Sequence, residues 1–310
     1  MKWIWSISDW HLREKNPRCR TDNFFVALIT KSAFLFNTMR QYQPDIKETL
    51  YLCVAGDIFD VNPPSEFIKR WLIGICREYN IHLIVIFGQH DLTNHDLGSW
   101  ERTGLGVIQA AGICTILPIH GTRLRVDGVD FTGVHFGQTD IPANKDRQDN
   151  SIPQVLMIHR MLIDEPLWKG QNAEGAEYLL SDNTQYDLIL SGDNHQSFTY
   201  TIGNRHLING GSVMRMTSAQ MDHQPKLWRY DTKLKTIEYF ELPINKDAVS
   251  ADHISNIVDD PERMTAFVTY LQGNEVGMDI PNAFKSFFNE DATDDEVQSI
   301  IFQNLPLGGV

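Results

Sequence analysis

Leu50-Tyr51-Leu52-Cys53-Val54-Ala55-Gly56-Asp57-Ile58-Phe59-Asp60 is the stretch that decides the fold. An apolar run stops at a glycine, and Asp57 and Asp60 follow it. A continuous apolar run of this length is the pattern of a strand covered on both faces, as in parallel sheets with helices outside. The same order recurs along the chain. Residues 3–7 lead into Asp9-Trp10-His11, and residues 81–87 into Gly88-Gln89-His90-Asp91. Residues 155–158 end at His159, and residues 188–190 lead into Ser191-Gly192-Asp193-Asn194-His195. Five strand-like segments therefore carry carboxylate, amide or imidazole groups at their C-terminal ends, the edge at which α/β sheets collect ligands.

The segments between them fit this plan. Residues 23–39 carry apolar side chains at helical spacing, with Thr21 and Asp22 offered as caps. Residues 64–79 read as a helix with Pro64 near its first turn, and residues 99–110 as a weaker one. Hairpins follow: 123–126 and 129–134 flank Asp127-Gly128, a type I′ signal. Residues 198–202 and 206–208 flank Gly203-Asn204, and 227–230 pairs with 236–241. The order predicts an α/β sandwich of two mixed sheets with helices outside. Residues 1–245 form this block. Residues 246–310 read as an acidic, mainly helical segment for capping or partner docking, with Thr293 and Glu296 spaced as a capping box. The polar stretch 140–151 reads as a loop.

Composition narrows the classes. The chain has 310 residues, 42% of them hydrophobic, and a net charge of −13. Eleven acidic and two basic residues fall in 251–310, so the preceding 250 carry a net charge of only −4. Net acidity opposes non-specific polyanion binding, but weakly for those 250 residues. No apolar run has the length that a membrane span needs. Cys19, Cys53, Cys76 and Cys114 show no C-x-x-C spacing, which suits reduced thiols in a cytoplasmic protein.

Carboxylates, imidazoles and an amide at neighbouring strand ends suit hydrolysis of a phosphate ester. The reaction needs deprotonated water near neutral pH and relief of charge on the phosphoryl oxygens, and two cations supply both. One carboxylate can bridge two cations, while imidazole and amide oxygen complete their shells without adding charge. Gly56, Gly88 and Gly192 would let the chain turn sharply off its strands. His82, His95, His120, His206, His223 and His253 lie outside the pattern and read as ordinary core or surface residues. His135 ends a strand and is left open between core and cleft.

These blocks resemble the calcineurin-like metallophosphoesterases, whose ordered signature is D-x-H, GD-x-x-D, GNH-D/E, H and GH-x-H. Finer details are similar to the SbcD-type DNA repair nucleases, phage-encoded forms included: Ser8-Asp9-Trp10-His11-Leu12, Pro63-Pro64-Ser65 after Asp60, and Asn209-Gly210-Gly211-Ser212. The resemblance implies a four-layer metallophosphoesterase sandwich. It implies one divalent cation held by Asp9, His11, Asp57 and His195, and a second held by Asp57, Gln89, His159 and Asp193, manganese first and magnesium second. His90 would face the scissile phosphate and Asp91 would orient it, with Asp60 supporting the loop. The implied reaction is in-line attack of activated water on a DNA phosphodiester. The implied partners are DNA and an SMC-like ATPase of the SbcC type, with a homodimer also open and no membrane. Two positions depart from the signature: Gln89 replaces the usual asparagine, and Asp193 replaces the first histidine of GH-x-H.

Two rival readings stand beside this one. A serine/threonine phosphatase would continue GD-x-x-D into Arg-Gly, whereas Val61-Asn62 follows Asp60 here. A catalytically reduced scaffold subunit would have lost His90 or Asp57, and both are present. Arg13, Lys15, Arg18 and Arg20 are candidates for contact with a DNA backbone, and Arg160 and Arg215 are weaker ones.

Overall fold

The computed structural model describes residues 1–142, 151–164 and 174–252. The sequence-predicted helical segment from 246 is therefore described only to 252. The Thr293/Glu296 capping box, His253 and most of the 140–151 stretch lie outside the described residues.

The chain opens with β1 (Trp3–Ile7), α1 (Phe24–Tyr42), β2 (Leu50–Val54), α2 (Glu66–Glu78), β3 (Ile81–Val85), α3 (Gly104–Ala110) and β4 (Cys114–Ile116). The strands β1 to β4 lie parallel and adjacent in one sheet. Next come β5 (Leu124–Val126), β6 (Val129–Val134), β7 (Gln154–His159), β8 (Leu162–Ile163), β9 (Glu174–Gly175), α4 (Ala176–Asp182), β10 (Leu188–Gly192), β11 (Phe198–Ile202) and β12 (Arg205–Asn209). The hairpin β13 (Lys226–Asp231) and β14 (Thr236–Glu241) returns antiparallel to the first sheet, beside β1. The two six-stranded sheets have the orders β14-β13-β1-β2-β3-β4 and β11-β12-β10-β7-β6-β5. Both are mixed, as the sequence predicts.

An apolar layer joins the sheets. Ile4, Cys53, Ile84, Trp228 and Tyr230 of the first sheet pack with Phe131, Val155, Met157, Leu188, Leu190 and Ile208 of the second. Alternate residues Leu156, Ile158, Ile189 and Leu207 point the other way and meet Leu179 and Leu180 of α4. All four cysteines are buried thiols. Among the described residues, no helix is long and apolar enough to cross a membrane.

Element boundaries depart from the sequence reading where several residues offer similar cap chemistry. Asn23, not Thr21 or Asp22, caps α1 by accepting from Val26 N at 3.0 Å. Ser65 caps α2 by accepting from Ile68 N at 3.2 Å, so Pro64 precedes the helix. The predicted 99–110 helix divides into a 3-10 segment, Leu97–Arg102, and α3, because the Thr103 hydroxyl accepts from Gly106 N at 3.2 Å and starts the helix anew. The Asp127-Gly128 turn has positive φ at both residues, 45° and 78°, as a type I′ turn requires.

The contacts group the chain into two units. The first is Met1–Asn16, Asn23–Met214 and His223–Ile244, which holds both sheets. The second draws Pro17–Asp22 and Arg215–Asp222 together with the chain from Asn245. Within it, Thr21 N donates to Ala248 O at 3.0 Å and Ser250 N to Cys19 O at 2.8 Å. The Arg215 side chain is buried, donating to Met221 O at 2.7 Å and to Asn245 O.

Candidate metal centre

Each of the five strand ends delivers its polar block to one place in the first unit. The loops after β1 and β2 run side by side: Asp9 N donates to Gly56 O at 3.2 Å and His11 N to Asp57 O at 3.0 Å. Asp9, His11, Asp57 and Asp193 all have positive φ, between 45° and 89°. Such backbone is uncommon outside glycine and clusters at functional sites.

Glycines set the spacing. Gly56 has φ 88°, and a Cβ there would lie 2.1 Å from His159 Nδ1. Gly88 has no positive φ; its role is close approach, since a Cβ would lie 2.0 Å from Asp57 Oδ1. Gly192 likewise leaves room for Ala55 O, 2.2 Å from where its Cβ would be. The predicted turn role therefore holds for Gly56, while Gly88 and Gly192 serve packing.

The ligand-type atoms converge. Asp9, His11 and His195 form one group, His11, Asp57 and His90 a second, and Asp9, Asp57 and His159 a third, each with atoms within 4.8 Å of one another. His11 Nε2 and His195 Nε2 face each other at 3.2 Å. Asp57 is fully buried, and its Oδ2 accepts no well-formed hydrogen bond among the described residues. That oxygen lies 3.4 Å from His159 Nε2 and 4.0 Å from His11 Nε2. A buried carboxylate oxygen left this way costs free energy unless a cation faces it. The donor set of carboxylates and imidazoles thus fits divalent metal ions.

The charge balance points the same way. Burial pushes Asp9 up to about 6, His159 opposing this and Asp57 adding to it. Burial also acts to raise Asp57, but His159, His11 and His90 outweigh it and hold the carboxyl well below the usual range. Burial disfavours charge on His11 and His159, yet Asp60 and Asp57 carry His11 up to about 9, and Asp57 carries His159 up to about 10. Burial and the neighbouring His11 lower His195 to about 3. Protons on His11 and His159 therefore balance the carboxylates, and divalent cations would displace them on binding.

Surrounding groups fix these rings. His159 Nδ1 lies 2.7 Å from Ala55 O, which directs Nε2 inward. Asp60 Oδ1 lies 3.5 Å from His11 Nδ1, and its Oδ2 lies 2.8 Å from Arg13 Nη1. Asp60 O also holds His90 Nδ1 at 2.9 Å. Asp91 does not orient His90 as expected, because its carboxylate is engaged elsewhere. The Asp91 carboxylate instead accepts from Ile58, Phe59 and Gly88 N at 3.3, 3.0 and 3.1 Å, tying the β2 loop to the β3 loop. Burial first, and then the Asp57 charge, push Asp91 up to about 7. Gln89 Oε1 lies 2.8 Å from His159 Nε2, and its Nε2 donates to Asp193 Oδ1 at 2.9 Å. Asp193 N donates to Asp9 Oδ1 at 3.1 Å.

The basic candidates divide. Arg13 is paired with Asp60, while Lys15 and Arg18 are exposed. Arg20 is corrected: its side chain is 4% exposed and engages Asp22 Oδ2 at 2.6 Å and Arg215 O at 3.1 Å, which leaves no surface for a phosphate. Arg215 is buried and Arg160 pairs with Glu174 at 2.7 Å. His135 proves to be core: Phe87 N donates to its Nδ1 at 3.0 Å, and its Nε2 lies 3.0 Å from Leu117 O. His95, which reads as an ordinary residue in the sequence, and Phe136 place their rings 6.1 Å from His90 and 6.4 Å from His159 between centroids. Nothing in the local sequence marks either residue.

No curated protein matches the sequence. Solved structures that align with the chain include TT1561 of Thermus thermophilus, at 14% identity and a TM-score of 0.44, covering 78% of this chain and 99% of that one. An archaeal phosphodiesterase aligns at 13% identity and a TM-score of 0.37, covering 77% and 99%. A hypothetical protein of Pyrococcus horikoshii aligns at 13% identity and a TM-score of 0.43, covering 84% and 96%. The calcineurin-like phosphoesterase pattern matches residues 2–197, the span that supplies all five strand-end blocks, and the chain belongs to that family.

Proposed function

We propose that the chain is a two-metal-dependent phosphodiesterase acting on DNA, of the SbcD type, working with an SMC-like ATPase. The observation that carries the metal reading is Asp57, fully buried, whose Oδ2 makes no well-formed hydrogen bond among the described residues and faces His159 Nε2 and His11 Nε2 at 3.4 and 4.0 Å, where cations would take the place of the imidazole protons. Asp9, His11, Asp57 and His195 would hold one cation, and Asp57, Gln89, His159 and Asp193 the other. Bound there, the cations supply positive charge to the phosphoryl oxygens and acidify a water molecule.

The chain's own groups do the rest. His90 Nδ1 is tied to a carbonyl, which can only accept, so that nitrogen carries its proton. The ring is thereby held so that Nε2 is the atom able to exchange a proton with a phosphoryl or leaving oxygen. Asp60 steadies both His11 and His90. The oxygen donors of Gln89 and Asp193 favour manganese or magnesium over softer, nitrogen-preferring ions. Val61-Asn62 stands after Asp60 where a serine/threonine phosphatase of this superfamily would carry Arg-Gly, so the arginine that would clamp phosphate there is missing.

Hydrolysis of bis-p-nitrophenyl phosphate against p-nitrophenyl phosphate, with manganese added to metal-stripped protein, tests the reading. The diester should be the better substrate. Preference for the monoester would replace the phosphodiesterase reading with a phosphatase.

A further inference from the structure

The site has a wall of rings. His195 and His11 lie 5.0 Å apart, His11 and His90 5.1 Å, His90 and His95 6.1 Å, His95 and Phe136 6.2 Å, and Phe136 and His159 6.4 Å, all between centroids. Four of these residues belong to the chemistry proposed above. His95 and Phe136 do not, yet His95 is exposed and Phe136 half-buried beside it.

The backbone fixes His95 in this place. Asn94 and His95 take positive φ in succession, 52° and 57°, an uncommon pair for residues with side chains. The turn that carries them is fastened at several points. Leu92 N donates to Gln89 O at 3.3 Å, Thr93 N to Ser99 Oγ at 3.0 Å and Asn62 Nδ2 to Thr93 Oγ1 at 2.7 Å. Phe136 is fixed from the other side, its N donating to Phe87 O at 3.0 Å. The two rings stand at 81°, so together they offer the face of one ring and the edge of the other: a corner that receives a single flat group.

We infer that His95 and Phe136 form a subsite for one unpaired nucleobase, attached through its sugar to the phosphate at His90. The inference rests on the phosphoesterase reading and names the part of the substrate that the metal groups leave unrecognised. Stacking on aromatic side chains tolerates any base, since every base has a flat face. Two rings set at 81° offer one stacking face, which suits a single frayed or single-stranded nucleotide better than a continuous duplex stack.

The test is calorimetric binding to the manganese-loaded full chain. Thymidine 5′-monophosphate is compared with 2-deoxyribose 5-phosphate, which lacks the base. The wild type should bind the nucleotide about tenfold more tightly. Phe136→Ala and His95→Ala should each remove most of that preference without changing manganese affinity, and Phe136→Tyr, which keeps the ring, should retain it. Equal affinity of the wild type for both ligands, or a preference unchanged in both alanine variants, overturns the subsite while leaving the phosphoesterase reading intact. If neither phosphate binds the manganese-loaded protein, the phosphoesterase reading falls and the subsite with it.

Discussion

Gln89 donates from Nε2 to Asp193 Oδ1 at 2.9 Å, joining the two positions at which this chain departs from the metallophosphoesterase signature. Gln89 Oε1 simultaneously meets His159 Nε2 at 2.8 Å. The longer glutamine thus reaches the carboxylate that stands where an imidazole is usual, and the two replacements are physically coupled. Gln89→Asn alone and Asp193→His alone should each weaken manganese binding and activity, and the double variant should recover part of the loss. A coupling of about 1 kcal/mol is expected for a hydrogen bond of this kind. Additive losses in the manganese titration would show the positions to be independent.

Asp57 and His90 should fail differently. Asp57→Ala removes the carboxylate shared by both proposed cations and should reduce manganese binding along with activity. His90→Ala should leave manganese bound while hydrolysis falls by about 100-fold or more, the scale of one positioned acid–base group. Calorimetric titration with manganese separates the two, and equal metal affinities in the variants would contradict these roles.

Gly88→Ala tests the close packing under the site. A Cβ there would meet Asp57 Oδ1 at 2.0 Å and Asp57 N at 2.4 Å, and backbone cannot yield as a flexible side chain does. We expect a stability loss of about 1–3 kcal/mol by urea unfolding, together with loss of manganese binding. An unchanged unfolding midpoint with normal metal affinity would show that the β2 and β3 loops can separate freely.

His135 gives the fold an acid-sensitive point. Burial lowers it to about 4 from the ordinary 6.5. Between those values the unfolded chain takes up a proton that the folded chain refuses. Stability from this group is present above pH 6.5 and is lost as pH falls toward 4, by about 3 kcal/mol. His135→Phe should be less stable at pH 7 by about 2 kcal/mol, from the unsatisfied Phe87 N–H and Leu117 carbonyl, and should lose stability less steeply between pH 7 and 5. Parallel declines in urea unfolding would assign the acid sensitivity elsewhere.

The legible parts of this molecule were those written locally. Covered parallel strands show as apolar runs, so β1, β2, β3, β7 and β10 could be placed from sequence, with the polar block that ends each. Asp127-Gly128 marked its hairpin because few residues accept two positive φ values in succession. Positive φ at Asp9, His11, Asp57 and Asp193 had no such mark, since it is imposed by the neighbouring loop and not by residue type. The role that the family resemblance implied for Asp91 fails on geometry: the turn that brings Leu92 N to Gln89 O sends the Asp91 carboxylate to the β2 loop, and a carbonyl 30 residues earlier takes the His90 ring instead. Arg20 looked like surface charge because its partners, Asp22 and Arg215, include one far along the chain. His95 and Phe136 are distant in sequence and only the sandwich makes them neighbours.

The most direct measurement is cleavage of end-labelled DNA by metal-stripped protein on titration with manganese, run beside a phosphopeptide control and the His90→Ala variant. The account predicts manganese-dependent DNA cleavage, weaker activity with magnesium, none with His90→Ala and no phosphate release from the peptide. Phosphate release from the peptide without DNA cleavage would contradict it.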